Sequence, residues 1–172
     1  MELKGASFLY TLAALMVTFA GFSALLLIIR QVAGANLSVL DRFLARTTIG
    51  HLMVLTAGAL LPPLLALYDI PDLWIWKASA VVFGLPMLTL LLTFRRRRLA
   101  ATGKPPPTIV QIAFIGLSSA ATAIAMAFIL GNFSHPAGAY LTALTIDFFS
   151  LAFAFITALE VVLQQQADTR QP

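Results

Sequence analysis

Five long, predominantly apolar blocks decide what this 172-residue chain can fold into. They cover residues 7–29, 49–68, 73–94, 108–130 and 138–163. At about 1.5 Å of helical rise per residue, each is long enough to cross a hydrocarbon layer about 30 Å thick. The apolar residues come in runs rather than at the spacing of a half-buried helix or strand. A transmembrane barrel would need alternating segments of about ten residues, which this sequence lacks. Composition agrees, because the chain is 60% hydrophobic and 10% charged, against about 45–50% and about 25% for soluble domains. The expected fold is an all-α integral membrane protein with five transmembrane helices and short loops. One domain would cover residues 1–163, with a flexible cytoplasmic tail over 164–172.

Basic residues orient the spans. With the N-terminus outside, nine of the 11 Lys and Arg fall on the inner side: Arg30, Arg42, Arg46, Arg95, Arg96, Arg97, Arg98, Lys104 and Arg170. Only Lys4 and Lys77 stay outside, so the positive-inside bias predicts an N-out, C-in topology. Ala33-Gly34-Ala35 resembles a signal-peptide cleavage site. The apolar stretch before it is too long, and its flank carries Glu2 as well as Lys4, so the first helix is kept. Asp69-Ile70-Pro71-Asp72 forms a tight outer hairpin. Ser38-Val39-Leu40-Asp41 has the form of a capping box and predicts a short interfacial helix before the second span. Lys104-Pro105-Pro106-Pro107 reads as a stiff spacer, with Thr108 capping helix four.

Inside a bilayer the polar residues are informative, because a charge there is costly and faces protein or water. Asp147 lies nine residues into the fifth block, roughly 13 Å from its outer edge by helical rise. It is read either as a proton or cation site or as a protonated acid hydrogen-bonded between helices. Pro62 and Pro63 deprive the carbonyls of Gly58 and Ala59 of their helical partners. Counted from Tyr68, those carbonyls lie roughly 14–15 Å deep, which would put them level with Asp147. Thr18, Ser118, Ser119 and Thr122 fall in the same layer. Together these groups could serve a desolvated cation or a proton relay; alternatively they satisfy ordinary proline kinks. Pro86 kinks the third span in the same way. Lys77 either snorkels to the outer interface or pairs with Asp147.

Gly116, Ala120, Ala123 and Ala127 belong to small-xxx-small pairs that let helices approach closely, so helix four should be central or form a subunit contact. Phe148, Phe149, Phe153 and Phe155 read as lipid or groove contacts, and Trp74 and Trp76 as outer-interface anchors. Arg95–Arg98 reads as a solvated cluster on anionic headgroups, not as a nucleic-acid site. Glu160 and Gln111 should see headgroups or water, and the sequon at Asn132 carries no weight. His51 opens helix two on the inner side and His135 lies in the outer loop, which excludes a bis-histidine haem or a two-histidine metal site within one chain. The chain has no Cys, and it lacks HExxH, GxSxG, GxGxxG and P-loop motifs. No enzyme, metal or cofactor is expected.

Val17-Thr18-Phe19-Ala20-Gly21-Phe22-Ser23-Ala24-Leu25, Ile28-Ile29-Arg30-Gln31 and Ala57-Gly58-Ala59-Leu60-Leu61-Pro62-Pro63-Leu64-Leu65 resemble the first half of small, uncharacterised multi-span proteins of bacterial genomes. That resemblance implies a bacterial inner membrane and brings no activity with it. Two functions stay open: a homo-oligomeric ion or proton pathway around the Asp147 layer, or an accessory or scaffolding subunit of a larger membrane complex. The expected partners are the anionic bilayer face and either further copies of the chain or another membrane subunit.

Overall fold

A computed structural model describes residues 3, 5–32, 39–103, 111–131 and 133–168. Among them there are helices and turns and no strand. Helix α1 spans Ala6–Val32 and α2 spans Val39–Leu65. A 3-10 turn, Ala66–Tyr68, extends α2 at its C-terminal end. Asp69 then takes the left-handed conformation at φ 53°, which Asp tolerates better than most side chains. Pro71 accepts the first amides of α3, Asp72–Thr102, through the N–H groups of Trp74 and Ile75. The hairpin at Asp69–Asp72 is therefore as tight as its sequence predicts. At the other end of α3, Gly103 at φ 67° donates its N–H to the Leu99 carbonyl, the glycine stop that ends many helices.

Helix α4, Gly116–Leu130, follows without a break from a π-helical turn, Gln111–Ile115. Helix α5 covers Pro136–Asp168, so its backbone stays helical past Leu163, through the good helix formers Gln164–Gln166. The spacer around Lys104, the cap at Thr108, the sequon residue Asn132, Ser38 and the last four residues lie outside the described set. The same holds for the side chains of Gln111 and Glu160.

Four helices are long and apolar enough to cross a membrane: Ala6–Ile29, Val39–Tyr68, Asp72–Thr102 and Pro136–Thr157. Gly116–Leu130 is apolar but shorter. The expected interfacial helix is not separate. Val39 begins one helix that runs unbroken through Arg42, Arg46 and His51 to Leu65. Polar residues interrupt the apolar block there, but helicity does not need apolarity, and Gly50 costs only about 1 kcal/mol relative to Ala.

Consecutive helices pack side by side, and α5 also touches α1, α2 and α3. The helix that meets all others is thus α5, which leaves a subunit contact as the remaining reading of the small residues on α4. On α4 the small residues divide between faces. Ala121 and Ala125 point inward, with Ala125 against Gly84 of α3, while Gly116, Ala120, Ala123 and Ala127 are exposed. The core holds Leu9, Met16, Leu55, Phe83, Phe128 and Leu144. Val17, Ile28, Met53, Leu92 and Phe149 stand on the outside. An exterior this apolar around a core that contains His and Asp suits lipid as solvent.

Candidate functional site

The core of the bundle contains a chain of polar groups contributed by three helices. His51 lies midway along α2 and is 2% exposed, and Asp147 of α5 is 0% exposed. Nε2 of His51 stands 2.9 Å from Oδ2 of Asp147. The hydroxyl of Ser118, from α4, is 2.7 Å from Oδ1 of the same carboxyl and 3.1 Å from the hydroxyl of Ser150, one turn further along α5. Ser150 in turn reaches the carbonyl of Phe114 at 3.2 Å. That carbonyl belongs to the π-helical turn, a local widening that often marks functional sites.

Proton counting shows what this chain can do. With Asp147 as a carboxylate, the hydroxyls of Ser118 and Ser150 hold two protons for the three contacts Asp147–Ser118, Ser118–Ser150 and Ser150–Phe114. One contact then goes without a proton. With a proton on Oδ1, every contact is filled in one direction: Asp147 donates to Ser118, Ser118 to Ser150, and Ser150 to the carbonyl. The Nε2–H tautomer of His51 then donates to Oδ2. Removing that proton turns the Ser118 hydroxyl toward Asp147 and leaves one contact of the row without a proton.

Aromatic rings lie on two sides of this cluster. Toward the Val39 end of α2, Phe114 packs edge-on to His51, Phe94 lies on Phe114, and Phe43 lies on Phe94. Toward the Leu65 end of α2, Tyr140 packs against Trp76 and Phe83. The Tyr140 hydroxyl donates to the Gly58 carbonyl at 2.7 Å. Ser79, between Trp76 and Phe83 in sequence, and Thr122, one turn after Ser118, have buried hydroxyls with no hydrogen-bond partner. Other helical Thr residues, such as Thr89 and Thr145, return theirs to the carbonyl one turn back.

No family model, curated protein or solved structure matches this chain. The site rests on its own geometry.

The residues singled out from the sequence separate into groups. Asp147, Ser118 and Thr122 line the buried interior, and Ser119 is half-buried. Gly58 and Ala59 are buried but not level with Asp147. Gly58 faces Tyr140, seven residues before Asp147 and so about 10 Å away along α5. Depth measured from the edges of apolar blocks misses the stagger between α2 and α5, which puts His51 opposite Asp147. Thr18 is exposed and returns its hydroxyl to the Ala14 carbonyl, away from the cluster. Lys77 follows Trp76, at the Tyr140 level, while the Asp147 oxygens are engaged by His51 and Ser118.

Pro62, Pro63 and Pro86 all lie inside helices. Trp76 is 1% exposed and packs on Tyr140, whereas Trp74 is 63% exposed, so only Trp74 is free to anchor at an interface. Arg95, Arg96 and Arg97 are exposed, but Arg98 is buried with its Nε unpartnered. A four-residue run covers every face of a helix, so one of the four had to turn inward. Phe148 and Phe155 pack on Phe19, leaving Phe149 and Phe153 outside.

His51, Ser150 and Tyr140 join the site only in the structure. Sequence spacing carries a signal for His51 and Tyr140. His51 and Gly58 are seven residues apart, as are Tyr140 and Asp147, so each pair lies two turns apart on one helical face. Two antiparallel helices can join both pairs at once.

Proposed function

We propose that this protein is a five-span proton-handling protein of a bacterial inner membrane, oriented N-out and C-in, with His51 and Asp147 as its protonatable centre. The π-helical turn and α4 together make the fifth crossing, since 111–130 spans about 30 Å at helical rise. The observation that carries the reading is the buried His51–Asp147–Ser118–Ser150 row, which has a filled and a depleted proton arrangement. A proton suits this site better than a hydrated cation. Both carboxyl oxygens are already bonded to protein, and a metal ion would require more ligands than His51 and Asp147 offer. The rings around Phe114 and Tyr140 serve as inner and outer barriers, and the kinks at Pro62 and Pro86 supply places where the helices can bend. Because one chain encloses the whole centre, the pathway needs no second copy to complete it.

Proton flux into liposomes carrying a pH gradient tests this. The wild-type protein should acidify or alkalinise the lumen with the gradient, independently of whether Na⁺ or K⁺ is present. Asp147→Asn should fold and reconstitute but carry no flux. Flux that survives in Asp147→Asn, or a wild-type protein that conducts no protons, would overturn the reading.

One observation favours the second reading, an accessory subunit. Gly116, Ala120, Ala123 and Ala127 form an exposed small-residue face on α4, suited to close contact with another transmembrane helix or a second copy. A protein that is stable only with a co-purifying membrane partner, and silent in liposomes, would support it.

A further inference from the structure

We infer that the outer surface of the α2–α3 pair holds one anionic phospholipid, with its phosphate on Arg46 and Arg97 and an acyl chain in the groove beyond them. The groove has a volume of about 620 Å³ and is lined by Arg46, Gly50, Val54, Pro86, Leu90 and Arg97, among others. Helices α2 and α3 are antiparallel, so Arg46 and Arg97 share one end, while Val54 and Pro86 lie at the other. From Arg97 to Pro86 the helical rise is about 16 Å, close to one leaflet of a bilayer whose hydrocarbon is about 30 Å thick. The charges therefore lie at headgroup depth and the apolar lining at acyl-chain depth.

Charge identifies the occupant. Both groove arginines are exposed, and no Asp or Glu is among the lining residues. Guanidinium groups bind phosphate oxygens in pairs and remain charged in that setting. A zwitterionic lipid would add a cation beside two arginines, whereas an anionic headgroup would not. Gly50 keeps the groove open, because a Cβ built there meets nothing within 4 Å. This site depends on the chain lying in a membrane and is independent of the proton centre.

Native mass spectrometry tests it on the full chain, extracted from vesicles of equal phosphatidylglycerol and phosphatidylcholine. The expected result is one retained phosphatidylglycerol per chain and little phosphatidylcholine. Arg46→Gln and Arg97→Gln should each lower that occupancy about tenfold, as loss of a charge-assisted bond does. Gly50→Leu should fill the groove and release the lipid while leaving thermal unfolding unchanged. Equal retention of both lipids overturns the inference using the wild-type protein alone. So does full retention of phosphatidylglycerol in the arginine or Gly50→Leu variants. Displacement of the lipid by millimolar inorganic phosphate would also overturn it, by marking a plain anion site.

Discussion

The hydroxyl of Tyr140 occupies the place of an amide that Pro62 cannot supply. In a regular helix the N–H of residue 62 would donate to the carbonyl of Gly58; proline has none. Tyr140 donates to that carbonyl from α5 at 2.7 Å. The carbonyl that Pro62 leaves free thereby becomes an attachment point between two helices. Gly58 is required for the approach, because a Cβ there would come within 3.2 Å of both the Tyr140 hydroxyl and Leu144.

Tyr140→Phe should therefore leave the Gly58 carbonyl orphaned and destabilise the bundle by about 1–3 kcal/mol. In a Pro62→Ala background the helical amide is restored, and the same change should cost markedly less. Unfolding of the four proteins in one detergent gives this coupling directly, and equal costs in both backgrounds would refute it.

Gly58→Ala should lose about 1–3 kcal/mol through overpacking against Leu144 and Tyr140. Gly84 offers the contrast. A Cβ there would stand 3.5 Å from that of Ala125, an ordinary contact, so Gly84→Ala should be neutral or mildly stabilising. Denaturant midpoints for the two alanine variants should move in different directions or by clearly different amounts.

Asp147→Asn should preserve the fold to within about 1 kcal/mol, because an amide reproduces the protonated arrangement. Its carbonyl accepts from His51 and its NH₂ donates to Ser118. Asp147→Leu removes both functions and leaves His51 and Ser118 buried without partners, so it should cost more, about 2–5 kcal/mol. Equal stability of the two variants would argue against the proton count.

The two tryptophans should respond differently to a water-soluble quencher. In Trp76→Phe the remaining Trp74 emission should be quenched readily by acrylamide. In Trp74→Phe the buried Trp76 should be largely protected, and quenching slopes that match would contradict its place against Tyr140.

What the sequence reveals here is what a single segment can carry by itself. Apolar length is local, so the helices and the Asp69–Asp72 hairpin follow from it, as does the presence of Asp147 in the interior. The partners of Asp147 do not, because they depend on how far α2 slides along α5. His51 looks like a boundary residue when helix two is taken to start at Ile49, yet the helix starts at Val39. Trp74 and Trp76 satisfy the same aromatic-belt rule but lie on different faces, as do Arg97 and Arg98. The small residues of α4 announce close packing without saying which side is packed: Ala121 and Ala125 face in, Ala120 and Ala123 face out.

The position of α5 has a consequence for how the protein is made. A ribosome delivers helices in order, and α5 comes after the other four while contributing Tyr140, Asp147 and Ser150 to them. Until it arrives, His51 and the Gly58 carbonyl on α2 and Ser118 on α4 must wait without the partners they finally have. A nascent chain stopped before α5 leaves three polar groups without those partners at once. It is the species that cellular quality control would find easiest to recognise, and an insertion chaperone most useful to shelter.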